Sequence, residues 1–142
     1  MIGNQFPNLA PLAAALRDYS LGTIWWVQEP VWRSVLRSGY ESDKKGHPGL
    51  SIRNNPIPPY LPMDKVALLH GTSVICSTGR AFKVKGITRH EPQRHTYFQW
   101  KLRGSVPFHE FELEHCYPAE KQKLDDADIT RFRSELQKRE LL

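Results

Sequence analysis

The sequence predicts a mainly β protein, a small and strongly bent β barrel or sandwich with a helix at each end. Three observations predict it. Five or six short stretches rich in β-branched and aromatic residues recur along the 142 residues. Eleven prolines and nine glycines punctuate the chain, as short strands and tight connections require. The one extended amphipathic helical pattern lies near the C-terminus, and the length favours a single domain over residues 1–142.

Residues 1–20 are predicted to form a short helical arm. Leu9, Leu12 and Leu16 follow helical spacing, and Asn8 is a candidate N-cap. We expect this arm to pack on the body of the protein and to carry no chemistry.

The barrel is predicted to begin at residue 21, and its strongest strand pattern is the stretch GTIWWVQE. Alternation places Trp25 and Trp26 on opposite faces, so we expect one in the barrel and the other beneath a helix. Residues 30–47 form a long polar loop with one helical turn, and a second strand follows from Pro48.

Four further strands are predicted. Residues 65–69 are apolar throughout, as in a strand buried on both faces, and they end in a polar turn. Residues 80–88 form the next strand. Residues 95–103 alternate between an apolar face and a polar, basic face. Residues 111–115 are predicted as the last strand, which ends a barrel spanning residues 21–116.

Residues 125–140 are predicted to form a C-terminal helix. Acidic residues occupy its first turn and basic residues lie near its end, which suits the helix dipole. Ile129, Phe132 and Leu136 share one face, so we expect that face to pack on the barrel.

The formal net charge is +5, and its distribution is uneven. Residues 77–109 contain seven Lys and Arg residues and one acid, whereas residues 110–128 contain seven acids and two lysines. A basic segment with interleaved aromatic residues is typical of a surface that binds RNA or DNA. The alternative is a solvated face whose charge is neutralised by cross-strand pairing with Glu110, Glu112 and Glu114.

Several classes of protein are not expected. No apolar run approaches the length of a membrane span, and the first sixteen residues carry no Lys or Arg, so neither a membrane protein nor a secretory signal is predicted. Two cysteines, Cys76 and Cys116, cannot form a disulfide framework, which favours a cytoplasmic location. No metal or other cofactor is expected, because the spacings lack established zinc patterns in the His/Cys groups His90/His95 and His109/His115/Cys116.

The order of several short motifs resembles the MazF/PemK family of toxin ribonucleases over most of residues 21–140. Residues 22–27 (GTIWWV) open a strand, Gly46-His47-Pro48 enters the second strand, and the third strand closes on Gly71-Thr72-Ser73. An acidic turn then precedes the final helix. The resemblance implies an SH3-like barrel, a homodimer, metal-independent cleavage of single-stranded RNA, and neutralisation by a small acidic antitoxin.

The candidate catalytic residues are His47 and Thr72. Histidine can act as base or acid near neutral pH. The family carries Arg before the proline, where this chain has His47, and the family's catalytic Thr or Ser falls on Thr72 or Ser73. Thr72 could hold a phosphate oxygen, and backbone N–H groups of the turn at Ser73 could do the same. The alternative, a purely structural role, is that His47 is an ordinary turn residue and that the Thr72 hydroxyl only caps the turn.

The candidate RNA-binding residues are basic or aromatic. Fixed positive charge would supply most of the affinity for phosphates. A base could stack on Tyr97 or Trp25. The cations in question are Lys83, Lys85, Lys101 and Arg103. A second hypothesis is a non-catalytic barrel that binds nucleic acid or a protein, which the missing arginine before Pro48 favours.

Overall fold

The computed structural model describes residues 9–37, 39–53, 61 and 63–141. The strands are β1 (Thr23–Gln28), β2 (Gly46–Ser51), β3 (Lys65–Thr72), β4 (Ala81–Lys85), β5 (His95–Pro107) and β6 (Cys116–Lys123). The helices are α1 (Ala10–Leu16), α2 (Glu29–Val35), α3 (Phe108–Glu112) and α4 (Asp126–Lys138).

The protein is mainly β, as predicted. Its six strands form one antiparallel sheet in the order β4-β5-β3-β2-β1-β6. The sheet curls into a half-barrel, and its two ends approach each other where the Lys121 N–H donates to the Ile87 carbonyl at 3.1 Å. Among the described helices, none is long and apolar enough to cross a membrane.

Helices cover both faces of the sheet, which creates two hydrophobic cores. The first core lies beneath α4, where the ring centroids of Phe82 and Phe132 are 4.7 Å apart. The second core lies beneath the other three helices and contains Trp25, Trp32 and Phe111. Strand β3 contributes to both cores, which confirms the expectation that its apolar run is buried on both faces.

The helix predictions at the two ends of the chain differ in outcome. The C-terminal helix is confirmed, and the Asp125 side chain caps it by accepting a hydrogen bond from the Asp128 N–H at 2.8 Å. In α1 the predicted leucine stripe is wrong, because Leu16 is 76% exposed and the buried residue is Ala14. A small side chain lets α1 approach α3 closely. The predicted N-cap, Asn8, lies outside the described residues.

The predicted last strand at residues 111–115 is wrong. Phe108 and Phe111 lie one helical turn apart in α3 and both enter the second core. Strand β6 begins only at Cys116, so the barrel extends to Lys123 and not to residue 116. The glutamates of this segment therefore lie on a helix and a turn, where they cannot line a strand.

The predicted alternation along β5 is broken by an irregularity. Gly71 pairs with Phe98, but Leu69 pairs with Arg103, so β5 contains three more residues than β3 between these two pairs. An odd number of extra residues turns the following side chains to the other face. Leu102 accordingly packs against the second core, and Arg103 lies on the face opposite to Tyr97.

Candidate functional site

A groove of about 500 Å³ opens at one end of the sheet, where β2 begins and β3 ends. These strands are antiparallel, with Gly49 paired to His70, so the start of one lies beside the end of the other. His47 and Thr72, 25 positions apart in the sequence, both line the groove. The two candidate catalytic residues are thus brought together by strand pairing.

The His47 side chain is held by a buried carboxylate. Its Nδ1 lies 3.0 Å from Oε1 and 3.3 Å from Oε2 of Glu29, the first residue of α2, which is only 2% exposed. The Trp32 indole N–H donates to the His47 carbonyl at 3.1 Å and fixes the backbone. His47 is therefore an oriented residue, which distinguishes it from an ordinary turn residue. It contributes to the lining of the groove and also of a second, smaller pocket on the face of the sheet that carries Tyr40 and His70.

A chain of hydrogen bonds continues behind Glu29. The Tyr40 hydroxyl donates to Glu29 and lies 2.8 Å from Nε2 of His70, while the Gln99 amide nitrogen lies 3.3 Å from the other ring nitrogen of His70. One arrangement of protons satisfies all these contacts. His70 accepts from Gln99 and donates to Tyr40, and His47 donates from Nδ1 to Glu29. This leaves the Nε2 lone pair of His47 available as a base.

Burial fixes the charge of the inner members of this network. His70 is 3% exposed, and its pKa is lowered to about 3 by burial and, to a lesser extent, by the adjacent His47 ring at 4.4 Å. Burial and Glu29 together raise the pKa of Tyr40 well above its usual range. At neutral pH both His70 and Tyr40 are uncharged hydrogen-bonding groups.

We expect His70 to make the fold sensitive to acid. Above its ordinary pKa of 6.5 the residue is neutral in both folded and unfolded chains. As the pH falls from 6.5 towards about 3, the unfolded chain binds a proton that the folded chain excludes, so the free energy of unfolding decreases. The slope from this group is at most about 1.4 kcal/mol per pH unit. Urea unfolding at pH 7 and pH 5 measures it.

The matched variants for this measurement are His70→Gln and His90→Gln. Glutamine at position 70 can still bond Tyr40 but cannot titrate, so the difference in stability between pH 7 and pH 5 should shrink. His90 is exposed, and its replacement should leave that difference unchanged. An unaltered pH dependence in His70→Gln would show that His70 titrates normally.

Glu29, His47 and His70 could also hold a divalent cation. Their candidate ligand atoms all lie within 4.8 Å of one another, and two imidazoles with one carboxylate form a common ligand set. However, Tyr40 and Gln99 already bond both ring nitrogens of His70, and Glu29 accepts from Tyr40 and contacts Nδ1 of His47. A hydrogen-bond network therefore accounts for the cluster without an ion.

The Thr72 hydroxyl caps the turn and can still donate a hydrogen bond to a ligand. Its Oγ1 accepts a hydrogen bond from the Val74 N–H at 3.2 Å, as the capping alternative proposed, while the hydroxyl proton remains able to bond a ligand. Gly71 before it has no room for a side chain, because a Cβ would lie 2.7 Å from Cε1 of Phe98. The adjacent Ser73 is exposed and also lines the groove.

The predicted cations divide into two groups. Thr72, Tyr97 and Lys83 form a row across three neighbouring strands and share one face. With strands about 4.8 Å apart, the Lys83 backbone lies about 10 Å from that of Thr72. Lys85 follows opposite His95 on the same face.

Lys101 and Arg103 are exposed but do not extend this row, because they lie at the irregularity of β5 and beyond it. Within the described residues, no ion pair joins the four predicted cations to downstream glutamates. Glu110 instead pairs with His115 at 2.7 Å. The basic side chains remain exposed to solvent, although not as one continuous ribbon.

The prediction that Trp25 stacks a base is wrong. Trp25 is 0% exposed, its ring stacks on Tyr19 at 4.6 Å, and its indole N–H donates to Thr23 at 2.9 Å. No surface is left for a ligand. Its neighbour Trp26 is half-buried and lines the groove.

Comparison with models of known protein families and with curated proteins finds no match.

Sequence reasoning missed several residues of the site. Glu29 and Tyr40 were assigned to the end of a strand and to a loop, and His70 to a polar turn. The cations that line the groove are Lys44 and Arg94. Glu29 and His70 stand at the ends of strongly apolar strand patterns. Polar side chains at such positions are buried only when they are paired, so these two residues were the signal in the sequence for a hydrogen-bonded cluster.

Proposed function

We propose that this protein is a metal-independent endoribonuclease that acts on single-stranded RNA. One observation carries the proposal. One groove is lined by His47, whose imidazole is oriented by a buried carboxylate, together with Thr72 and two cations, Lys44 and Arg94. This arrangement supplies a base, a phosphate donor and positive charge, which are the groups that RNA cleavage by its own 2′-hydroxyl requires.

The proposed reaction begins at His47. Its Nε2 takes the proton of a ribose 2′-hydroxyl, and the resulting oxygen attacks the adjacent phosphorus. The Thr72 hydroxyl donates to a phosphate oxygen, and Lys44 and Arg94 stabilise the negative charge that develops. The bond from phosphorus to the 5′ oxygen breaks, and that oxygen takes a proton from water. The products are a 2′,3′-cyclic phosphate and a free 5′-hydroxyl.

The exposed cations extend the proposed binding surface beyond the groove. Lys83 and Lys85 would contact phosphates of the same strand, with Tyr97 available for stacking between them and Thr72. The proposal also includes a homodimer and a small acidic antitoxin, whose negative charge would compete with RNA for these cations. Cytoplasmic location belongs to the same proposal.

The second candidate is a barrel that binds nucleic acid without cleaving it. The observation that favours it is the charge state of the groove: Arg94 donates to Glu91 at 2.8 Å, which partly neutralises the one guanidinium among the described groove residues. With less positive charge at the phosphate, binding would persist while the reaction slowed.

One experiment separates the two candidates. The purified protein is incubated in EDTA with a long unstructured RNA, and the fragments are analysed for cyclic phosphate ends. We expect discrete fragments, and binding that weakens steeply between 50 and 200 mM salt, because several phosphate contacts release counterions. Binding without fragments would establish the binding module. Absence of binding at low salt would contradict both candidates.

A further inference from the structure

Trp26 differs from the other tryptophans of the chain. Trp25, Trp32 and Trp100 are buried, whereas Trp26 is half-buried and lines the groove. In the β1–β6 register it lies directly opposite Tyr117, which is 41% exposed. The two rings give one wall of the groove an aromatic surface of the kind on which nucleobases stack.

The indole of Trp26 packs against a glycine. A Cβ on Gly46 would lie 2.9 Å from Cε2 and Nε1 of Trp26, so the indole rests against bare backbone. The indole N–H of Trp25 and that of Trp32 donate to protein acceptors, but that of Trp26 has no acceptor among the described residues. Trp26 thus has a partly exposed ring and an indole N–H that has no acceptor among the described residues.

Two carboxylates contribute to the lining of the same groove. Oε2 of Glu91 accepts from Arg94 at 2.8 Å, and Oε2 of Glu120 accepts from the Arg89 N–H at 3.2 Å. In each case no hydrogen bond within the described residues uses Oε1. Carboxylate oxygens repel phosphate but accept hydrogen bonds from amino groups. This part of the groove therefore suits a base better than it suits the RNA backbone.

We propose that the groove between Trp26 and Glu120 binds a nucleobase that carries an exocyclic amino group, such as cytosine, in preference to uracil. The base stacks on Trp26 and donates from its amino group to Glu120. The ligand class rests on the proposed function, because it assumes that the groove receives RNA. The groove volume is ample for one nucleotide.

The test measures binding separately from cleavage. Hexamers of 2′-O-methylcytidine and 2′-O-methyluridine, which have no free 2′-hydroxyl and cannot be cleaved, are titrated against the protein while tryptophan fluorescence is followed. We expect quenching and about 10-fold tighter binding of the cytidine hexamer. Trp26→Ala should weaken that binding about 10-fold or more, whereas Trp26→Phe should keep most of the affinity and lose the quenching.

Glu120→Gln tests base selection. It replaces the accepting carboxylate by a group that can also donate, so the affinities for the two hexamers should become nearly equal. Glu114→Gln, an exposed glutamate that does not line the groove, is the matched control and should keep the preference for cytidine.

The outcomes distinguish this inference from the proposed function. Equal binding of both hexamers by the wild-type protein, or unchanged affinity in a folded Trp26→Ala variant, would overturn the base site. Trp26-dependent binding of the hexamers without cleavage of ordinary RNA would support the base site and reject the nuclease. Cleavage of ordinary RNA that is unaffected by Trp26→Ala would support the nuclease and reject the base site.

Discussion

His47→Ala should lower the rate of RNA cleavage by about 100- to 10,000-fold, the largest change in activity expected from any single substitution here. The variant loses the imidazole that, in the described part of the groove, is oriented by a buried carboxylate and is the proposed base. RNA affinity at low salt should change little, because the cations supply most of it. Cleavage rates and binding are measured in EDTA on the same preparation.

Glu29→Gln is the companion variant. Its amide oxygen can still accept from Nδ1 of His47, but the negative charge that stabilises a protonated imidazole is lost. We expect cleavage to slow about 10-fold or more, with binding retained. His90→Ala, at an exposed histidine that does not itself line the groove, serves as the control. Unchanged cleavage by a folded His47→Ala variant would remove His47 from the reaction.

Trp25→Ala should destabilise the fold by about 3–5 kcal/mol, the largest expected effect on stability. The indole stacks on Tyr19 and meets the edge of Phe111 at 5.1 Å, so its removal leaves a cavity in the second core. A loss of this size is a large share of the total stability of a small domain. Chemical denaturation followed by circular dichroism measures it.

Trp26→Ala is the matched comparison, one position further along the same strand. Because Trp26 is half-buried at the groove, its replacement should cost much less stability and should act on RNA binding instead. The opposite pattern, with Trp25→Ala stable but weak in binding RNA, would contradict the burial of Trp25.

The barrel could be predicted because local signals agree with it. β-branched and aromatic stretches bounded by prolines and glycines predicted β1 and β3, and the acidic first turn predicted α4. The prediction failed at residues 108–115, where Phe108 and Phe111 fit a helix as well as their neighbours fit a strand. Packing against the second core selects the helix there.

The site could be predicted only in part. His47 and Thr72 were predicted from the resemblance of their motifs to a toxin ribonuclease family, and the pairing of β2 with β3 brings them to the same end of the sheet. Trp25 was predicted to stack a base. Alternation places Trp25 and Trp26 on opposite faces of the sheet, but it does not say which face the helices cover. In the structure, the helices over the second core cover Trp25.

The sequence by itself determined that this chain forms a bent antiparallel sheet with a C-terminal helix, because strand and helix periodicity are local properties. It also determined the excess of positive charge over residues 77–109. Only the tertiary structure decided that Glu29 and Tyr40 support His47, that β5 turns Arg103 away from Tyr97, and that Trp26 lies in the groove. These relations join residues far apart in the chain, and they depend on strand register and helix placement, which no local pattern specifies.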